Sequence, residues 1–310
     1  MNIHPGFVGC DVSKHHLDIF DARTGAHARI VNSAPEVAAL ARSLAQSRDL
    51  IVFEATGGYD EALRRALTAL GCRFARVNPG RARDFAKAAG FLAKTDRVDA
   101  KMLATMGQAL NLAADMPPDP EREMLSLLVK RRDQLVDMRA QEKTRMSEIS
   151  DKEIRADLEV HIAWLSTRIA CFNRKIVQAC KQSAVIARET ALTRTAPGVG
   201  QVTATVLAAL MPELGARSPK QIAALAGLAP LNADSGHKRG QRTIKGGRRR
   251  VREALYMAAV SAVRSDTPFK AFYLRLREAG KPAKLALIAV ARKLLTTLNA
   301  MVRDNAAFQV

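Results

Sequence analysis

The chain has 310 residues, with 49 Lys and Arg against 30 Asp and Glu, a formal net charge of +19 and a pI near 10.4. Its 48% hydrophobic and 25% charged composition excludes wholesale disorder, and no apolar run approaches the ~20 residues of a membrane span. Cys10, Cys72, Cys171 and Cys180 are scattered with no C-x-x-C pair, so neither a zinc site nor a disulfide framework is indicated.

A positive surplus of this size favours polyanions, nucleic acid first and anionic membrane second. Its distribution divides the chain. Residues 1–115 carry 15 basic and 12 acidic side chains, residues 116–193 carry 14 and 12, and residues 194–310 carry 20 and 6. The three spans also differ in pattern and are read as three domains with these boundaries. The opening Met1-Asn2-Ile3-His4-Pro5 lacks the basic flank and apolar stretch of a secretory signal, so a cytosolic compartment is expected.

In the first span, Phe7–Val12 and Leu17–Phe20 are β-rich and joined by a polar turn, the pattern of a hairpin. An amphipathic helix follows over Pro35–Ser47, then the apolar run Leu50–Phe53 of a buried strand. A helix over Tyr59–Leu70, a strand over Arg73–Val77 and a helix after Pro79 complete an α/β alternation. Asp11 lies inside an apolar strand, where a carboxylate costs free energy unless it is paired or bound to a cation. Glu54 follows a buried run, at the strand end where open α/β sheets place their sites. Asp96 and Asp99 are three apart and share a helix face. Such oxygens suit Mg²⁺, and four carboxylates could hold two metals at a phosphodiester. Bland roles compete: Asp96 as an N-cap, Asp99 paired with Arg97 or Lys101, Glu54 opening an ordinary turn.

The second span begins after Asp115-Met116-Pro117-Pro118-Asp119-Pro120, a proline-rich break. Two long helical stretches follow. Glu121–Ile149 carries Leu128, Leu135 and Met138 on its seam but admits Glu142 and Arg145. Leu158, Ile162, Leu165, Ile169, Phe172, Ile176 and Ala179 give the second stretch a heptad register. A helical hairpin resembling an antiparallel coiled coil fits both, as a dimerisation or spacer arm or as simple intramolecular packing, with Trp164 placed in its seam or core in preference to a base-stacking platform.

In the third span, Pro197-Gly198-Val199-Gly200 precedes a helix from Val202 to Met211. Gly198 and Gly200 there can present backbone N–H groups to a phosphate, although such a turn also connects ordinary helices. Ser218-Pro219 reads as an N-cap followed by proline at the first helical position. The segment 231–250 is nearly devoid of apolar residues and rich in glycine. Its Lys238, Arg239, Arg242, Lys245, Arg248 and Arg249 suit phosphate contacts. Ser235, beside Gly236 within that field of cations, is a candidate nucleophile toward a phosphodiester, or one more serine in a glycine-rich loop. Helical patterns over Val251–Val263, Phe269–Arg277 and Lys284–Met301 make this span all-α.

The motifs Gly9-Cys10-Asp11-Val12-Ser13-Lys14, Phe53-Glu54-Ala55-Thr56-Gly57-Gly58-Tyr59, Lys94-Thr95-Asp96-Arg97-Val98-Asp99-Ala100, Pro197-Gly198-Val199-Gly200, and Leu225 to Pro230 with Asp234-Ser235-Gly236 occur in order over almost the whole chain. Together they resemble the DEDD transposases of the insertion-sequence one-ten family, the bridge-RNA-guided recombinases. The resemblance implies an RNase H-like, RuvC-type N-terminal domain, a central coiled coil and a C-terminal transposase domain. It implies Asp11, Glu54, Asp96 and Asp99 as catalytic ligands of Mg²⁺, with Mn²⁺ a substitute and neither zinc nor a nucleotide cofactor required, and Ser235 as the nucleophile. It also implies donor and target DNA, a noncoding bridge RNA that supplies specificity by base pairing, and dimers that pair into a tetramer, in a bacterial cytoplasm near the nucleoid. Cys10 departs from the aliphatic residue usual beside the first aspartate, and as a small buried hydrophobe it is compatible with that place. Two other readings fit the composition: a RuvC-like nuclease or junction resolvase that uses water, and a non-catalytic architectural nucleic-acid binder.

Overall fold

The computed structural model describes residues 6–55, 57–91, 95–115, 119–231 and 243–309. The chain forms two compact units, Met1–Pro118 and Asp119–Val310.

The first unit holds β1 (Phe7–Val12), β2 (His16–Asp21), β3 (His27–Val31), α1 (Ala34–Ser47), β4 (Leu50–Glu54), α2 (Glu61–Ala69), β5 (Phe74–Val77), α3 (Pro79–Ala88) and α4 (Asp96–Ala109). Its five strands form one mixed sheet in the order β3-β2-β1-β4-β5. β1, β2 and β3 are antiparallel neighbours, whereas β4 and β5 run parallel to β1. This architecture is compatible with the RNase H-like expectation. The hairpin read from the sequence is β1 and β2, and β3 extends it by a third strand.

Alternation along the strands assigns the two faces. Val8, Cys10, Val12, Leu17, Ile19, Ile51 and Phe53 pack with Val37, Ala41 and Leu44 of α1 and Leu63 and Leu67 of α2. Phe7, Leu50, Val52, Ala75 and Val77 turn to the other face, where Met102, Leu103 and Met106 of α4 cover them. Asp11 shares the parity of Phe7, and Glu54 shares that of Leu50 and Val52. Both carboxylates therefore belong to the α4 side of the sheet.

Gly9 sets how closely α4 lies on that face. A Cβ there would stand 1.9 Å from the Ala100 carbonyl oxygen and 2.6 Å from the Ala104 nitrogen, both backbone atoms of the helix that begins with Asp96. Neither can yield without moving α4. Gly9→Ala is expected to destabilise the protein by about 3 kcal/mol or more, through overpacking against rigid backbone. Chemical denaturation checks this.

The second unit contains α5 (Pro120–Glu148), α6 (Lys152–Gln182), α7 (Ala184–Arg194), α8 (Gln201–Leu210), α9 (Pro219–Leu225), β6 (Pro230–Leu231), β7 (Thr243–Ile244), α10 (Arg249–Ala262), α11 (Pro268–Glu278) and α12 (Ala283–Asp304). α5 and α6, of 29 and 31 residues, run back along each other. Arg139 of α5 donates to the Ser166 hydroxyl at 3.2 Å, and Arg155 donates to the Met146 carbonyl at 2.8 Å. Leu135, Leu165 and Ile169 form the small apolar cluster between them. Glu142 is buried and accepts from Arg145 at 2.9 Å, which explains how charged residues are tolerated there. Met138 and Trp164 are not in the seam: they are 43% and 53% exposed. Trp164 immediately precedes the seam residue Leu165, and one residue along a helix is a turn of roughly 100°.

The larger core joins Leu125 and Val129 of α5 and Ile176 and Cys180 of α6 to the helices from α7 to α12. By length and average composition α12 is apolar enough to cross a membrane, although Arg292 and Lys293 interrupt its apolar run. Its Val290, Ala291, Leu294, Leu295 and Leu298 are all buried in this core, the use of a central helix in a globular unit. The all-α expectation for the C-terminal span needs correcting. β6 and β7 pair antiparallel, Pro230 with Ile244 and Leu231 with Thr243. A segment rich in glycine and charge offers no apolar helical face, whereas the β-branched Thr243 and Ile244 suit a short ribbon.

Candidate active site

Backbone register brings the acids together. Cys10 of β1 pairs with Phe53 of the parallel β4, so Asp11 and Glu54 are the next residues along two adjacent strands, on the same face. α4 starts beside them. Thr95 is its N-cap, accepting from the Val98 N–H at 3.3 Å, and Asp96 and Asp99 occupy the first turn. Asp96 is thus the first helical residue and not the cap. Acids in a first turn face the positive end of the helix dipole, which stabilises them in the absence of a cation.

The electrostatics record the crowding. Burial, then the negative charges of Asp99, Asp96, Glu54 and Asp18, push the Asp11 carboxyl up to about 6. The other three acids read from the sequence therefore all act on Asp11, and a fifth joins them. Asp18 stands directly opposite Asp11 in the β1–β2 pairing and is 7% exposed. Its charge is met by Arg29, whose Nε donates to its two oxygens at 3.0 and 3.1 Å. The same guanidinium donates to Asp96 at 2.8 Å. Sequence reasoning passed over Asp18 and Arg29. The signal for Asp18 was the one that exposed Asp11, a carboxylate between apolar strand residues, Leu17 and Ile19.

Carboxylate oxygens are the donors that hard divalent cations such as Mg²⁺ prefer, and an excess of unneutralised acid is what such a cation relieves. The donor set of Asp11, Glu54, Asp96 and Asp99 fits a divalent ion in chemistry. Among the described residues, however, no three His, Cys, Asp or Glu side chains stand close enough to share one. Cys10 takes no part. It is fully buried on the opposite face, and burial pushes its thiol up, beyond any thiolate chemistry near neutral pH.

In the second unit, Ser235, Lys238, Arg239 and Arg242 lie outside the described residues. The segments flanking them are tightly joined. An added Cβ on Gly247 would meet the Gly227 backbone nitrogen at 2.1 Å, and Arg248 N–H bonds the Leu225 carbonyl at 2.8 Å. Arg252 donates to the Gly246 carbonyl at 2.7 Å. The described segments 225–227 and 246–252 are therefore held against each other.

The remaining basic candidates have different surroundings. Lys245 is exposed. Arg249 is exposed and paired with Glu253 at 2.7 Å. Arg248 makes a two-pronged bond to Glu213, at 2.6 and 2.7 Å. Burial raises the Glu213 pKa, but bonding and charge from Arg248 outweigh it and hold the carboxyl below its ordinary value. A depressed acid contributes stability above its unfolded pKa and loses it as pH falls through the folded one. Arg248→Ala should therefore cost about 1–2 kcal/mol at pH 7, a difference that shrinks in melts taken below about pH 4. Gly198 has φ +79°, and a Cβ there would stand 2.2 Å from the Ala258 carbonyl oxygen of α10, so its first duty is close packing. Gly200 is the N-cap of α8, with open space where a Cβ would be.

Two family descriptions match the chain. Residues 8–152 match a DEDD transposase domain, and residues 190–274 match the transposase domain of the IS116/IS110/IS902 family. A pilin gene-inverting protein of Moraxella bovis is 31% identical over 263 residues, 83% of this chain and 81% of that protein. An uncharacterized 42 kDa protein of insertion element IS900 from Mycobacterium paratuberculosis is 38% identical over 117 residues, 36% of this chain and 29% of that protein. An uncharacterized 43.6 kDa protein of insertion element IS110 from Streptomyces coelicolor is 34% identical over 116 residues, 36% and 28% of the respective chains. The DEDD match spans the first unit, where Asp11, Glu54, Asp96 and Asp99 converge, and the chain belongs to the IS110 family of transposases.

Proposed function

We propose that this transposase is an RNA-guided DNA recombinase that cuts and rejoins strands through a covalent phosphoserine intermediate on Ser235. The observation that carries the reading is the convergence of Asp11, Glu54, Asp96 and Asp99 at one end of the sheet, in a chain whose 194–310 span holds 20 basic and 6 acidic residues. The acids would hold Mg²⁺, which when bound neutralises charge on a scissile phosphate. Asp11 and Glu54, fixed by strand register, and Asp96 and Asp99, fixed by the first turn of α4, set where that phosphate lies.

Ser235 loses its proton as its oxygen bonds to phosphorus. The phosphorus bond to the 3′ oxygen breaks, and that oxygen leaves as a 3′-hydroxyl. A 3′-hydroxyl from the exchanged strand then attacks the phosphoserine, restoring a phosphodiester and returning the proton to serine. Bond energy is conserved, so no nucleotide cofactor is needed. Lys238, Arg239, Arg242, Lys245 and Arg249 supply charge for the DNA and RNA backbones, while base pairing to a noncoding RNA supplies sequence specificity. The α5–α6 hairpin serves as the arm for dimers that pair into a tetramer, with acids and serine contributed by different subunits.

The test is reconstitution. Purified protein, the noncoding RNA flanking its gene, and donor and target DNAs should yield joined products with Mg²⁺ and none with chelator. Hydrolysed ends without joining would instead identify a nuclease that uses water.

A further inference from the structure

On the α4 side of the sheet, Asp11, Asp18 and Arg29 stand opposite one another on three neighbouring strands. Directly opposed side chains have Cβ atoms ~5 Å apart, and like charges so placed repel. Two acids are therefore set side by side, with the positive charge of the row at its end. Arg29 does not pair with Asp18 alone. Its Nη2 lies 2.9 Å from Asp18 Oδ2 and 2.8 Å from Asp96 Oδ2. Asp18 is buried and serves as an anchor, whereas the Arg29 and Asp96 side chains are 53% and 58% exposed. One guanidinium thus spans a buried acid outside the DEDD set and an exposed acid within it. The planar fork makes this possible, since an ammonium has no equivalent pair of directed donors.

We propose that Arg29 is a positioning residue for Asp96: anchored on Asp18, it holds Asp96 as an ion-pair partner, and a divalent cation must take Asp96 from it. The inference rests on the metal-site reading above and adds the residue that governs loading. The contact to be broken is solvent-exposed, so the cost of releasing Asp96 is small, while the Asp18 contact stays in place. Loading thereby becomes a switch of one carboxylate between two cations.

The test uses the full chain and Mn²⁺ alone as probe, with free Mn²⁺ followed by electron paramagnetic resonance. Arg29→Lys keeps the net charge and a partner for Asp18 but removes the fork that reaches Asp96. It is expected to bind Mn²⁺ about three- to fivefold more tightly than wild type. A second variant, Arg29→Gln combined with Asp18→Asn, removes clamp and anchor together and should show the same direction. Arg97→Gln, which removes a neighbouring charge and leaves the clamp, measures the effect of charge alone. Affinity unchanged or weakened in both Arg29 variants, or matched by Arg97→Gln, overturns the proposal while the metal site stands. Absence of Mn²⁺ binding in wild type overturns the metal-site reading and this proposal with it.

Discussion

Ser235→Ala is expected to lower strand exchange by a factor on the order of 10³ or more, with binding of DNA and RNA retained. The hydroxyl is the bond-forming atom of the proposed reaction, and no backbone donor or cation can replace it. Removing it leaves the basic residues of the 194–310 span untouched, so affinity for nucleic acid and its salt dependence should remain those of the parent protein. The paired measurements are recombination of supplied DNAs and a salt titration of binding. Loss of both together would mean that the residue acts in folding and not in chemistry.

The acids on the sheet carry the second large effect, and it has two signs. Asp11→Asn should abolish strand cleavage, because the carboxylate at the centre of the set is gone. The same change removes a negative charge from among Asp18, Glu54, Asp96 and Asp99. After discounting for solvent screening, this relief is worth about 1 kcal/mol, and the metal-free protein should melt roughly 3–5 °C higher. Addition of Mg²⁺ should reverse the order, stabilising the parent more than the variant. A cleavage-dead variant that melts lower than the parent without metal would show that Asp11 is a structural acid with its own partner.

Much of this site was legible beforehand, for a definite reason. A carboxylate within Phe7–Val12 has no apolar use, and Glu54 ends a run with four buried residues. What was not legible depended on register. Asp18 carries the same mark as Asp11, yet only the β1–β2 and β2–β3 pairings place it between Asp11 and Arg29. Arg29 looks like any exposed strand cation until Asp96, 67 residues later, is folded against it. The phosphate-binding reading of Arg248 met the same limit, since Glu213 is 35 residues away and nothing local announces their pairing. Apolar character alone assigns Met138 and Trp164 to the seam, whereas its phase is set by Leu135 and Leu165. In α12, Arg292 and Lys293 break the apolar run, while Val290, Ala291, Leu294 and Leu295 around them are buried in the core.

In the proposed reaction a serine oxygen, not water, attacks the scissile phosphate. Its most direct measurement is mass spectrometry of protein trapped on a DNA substrate in which the exchanging strand has been omitted. The expected product is a nucleotide phosphate bonded to the peptide containing Ser235, formed with Mg²⁺ and absent with chelator. Cleaved DNA bearing free phosphate ends, with no adduct on that peptide, would contradict it.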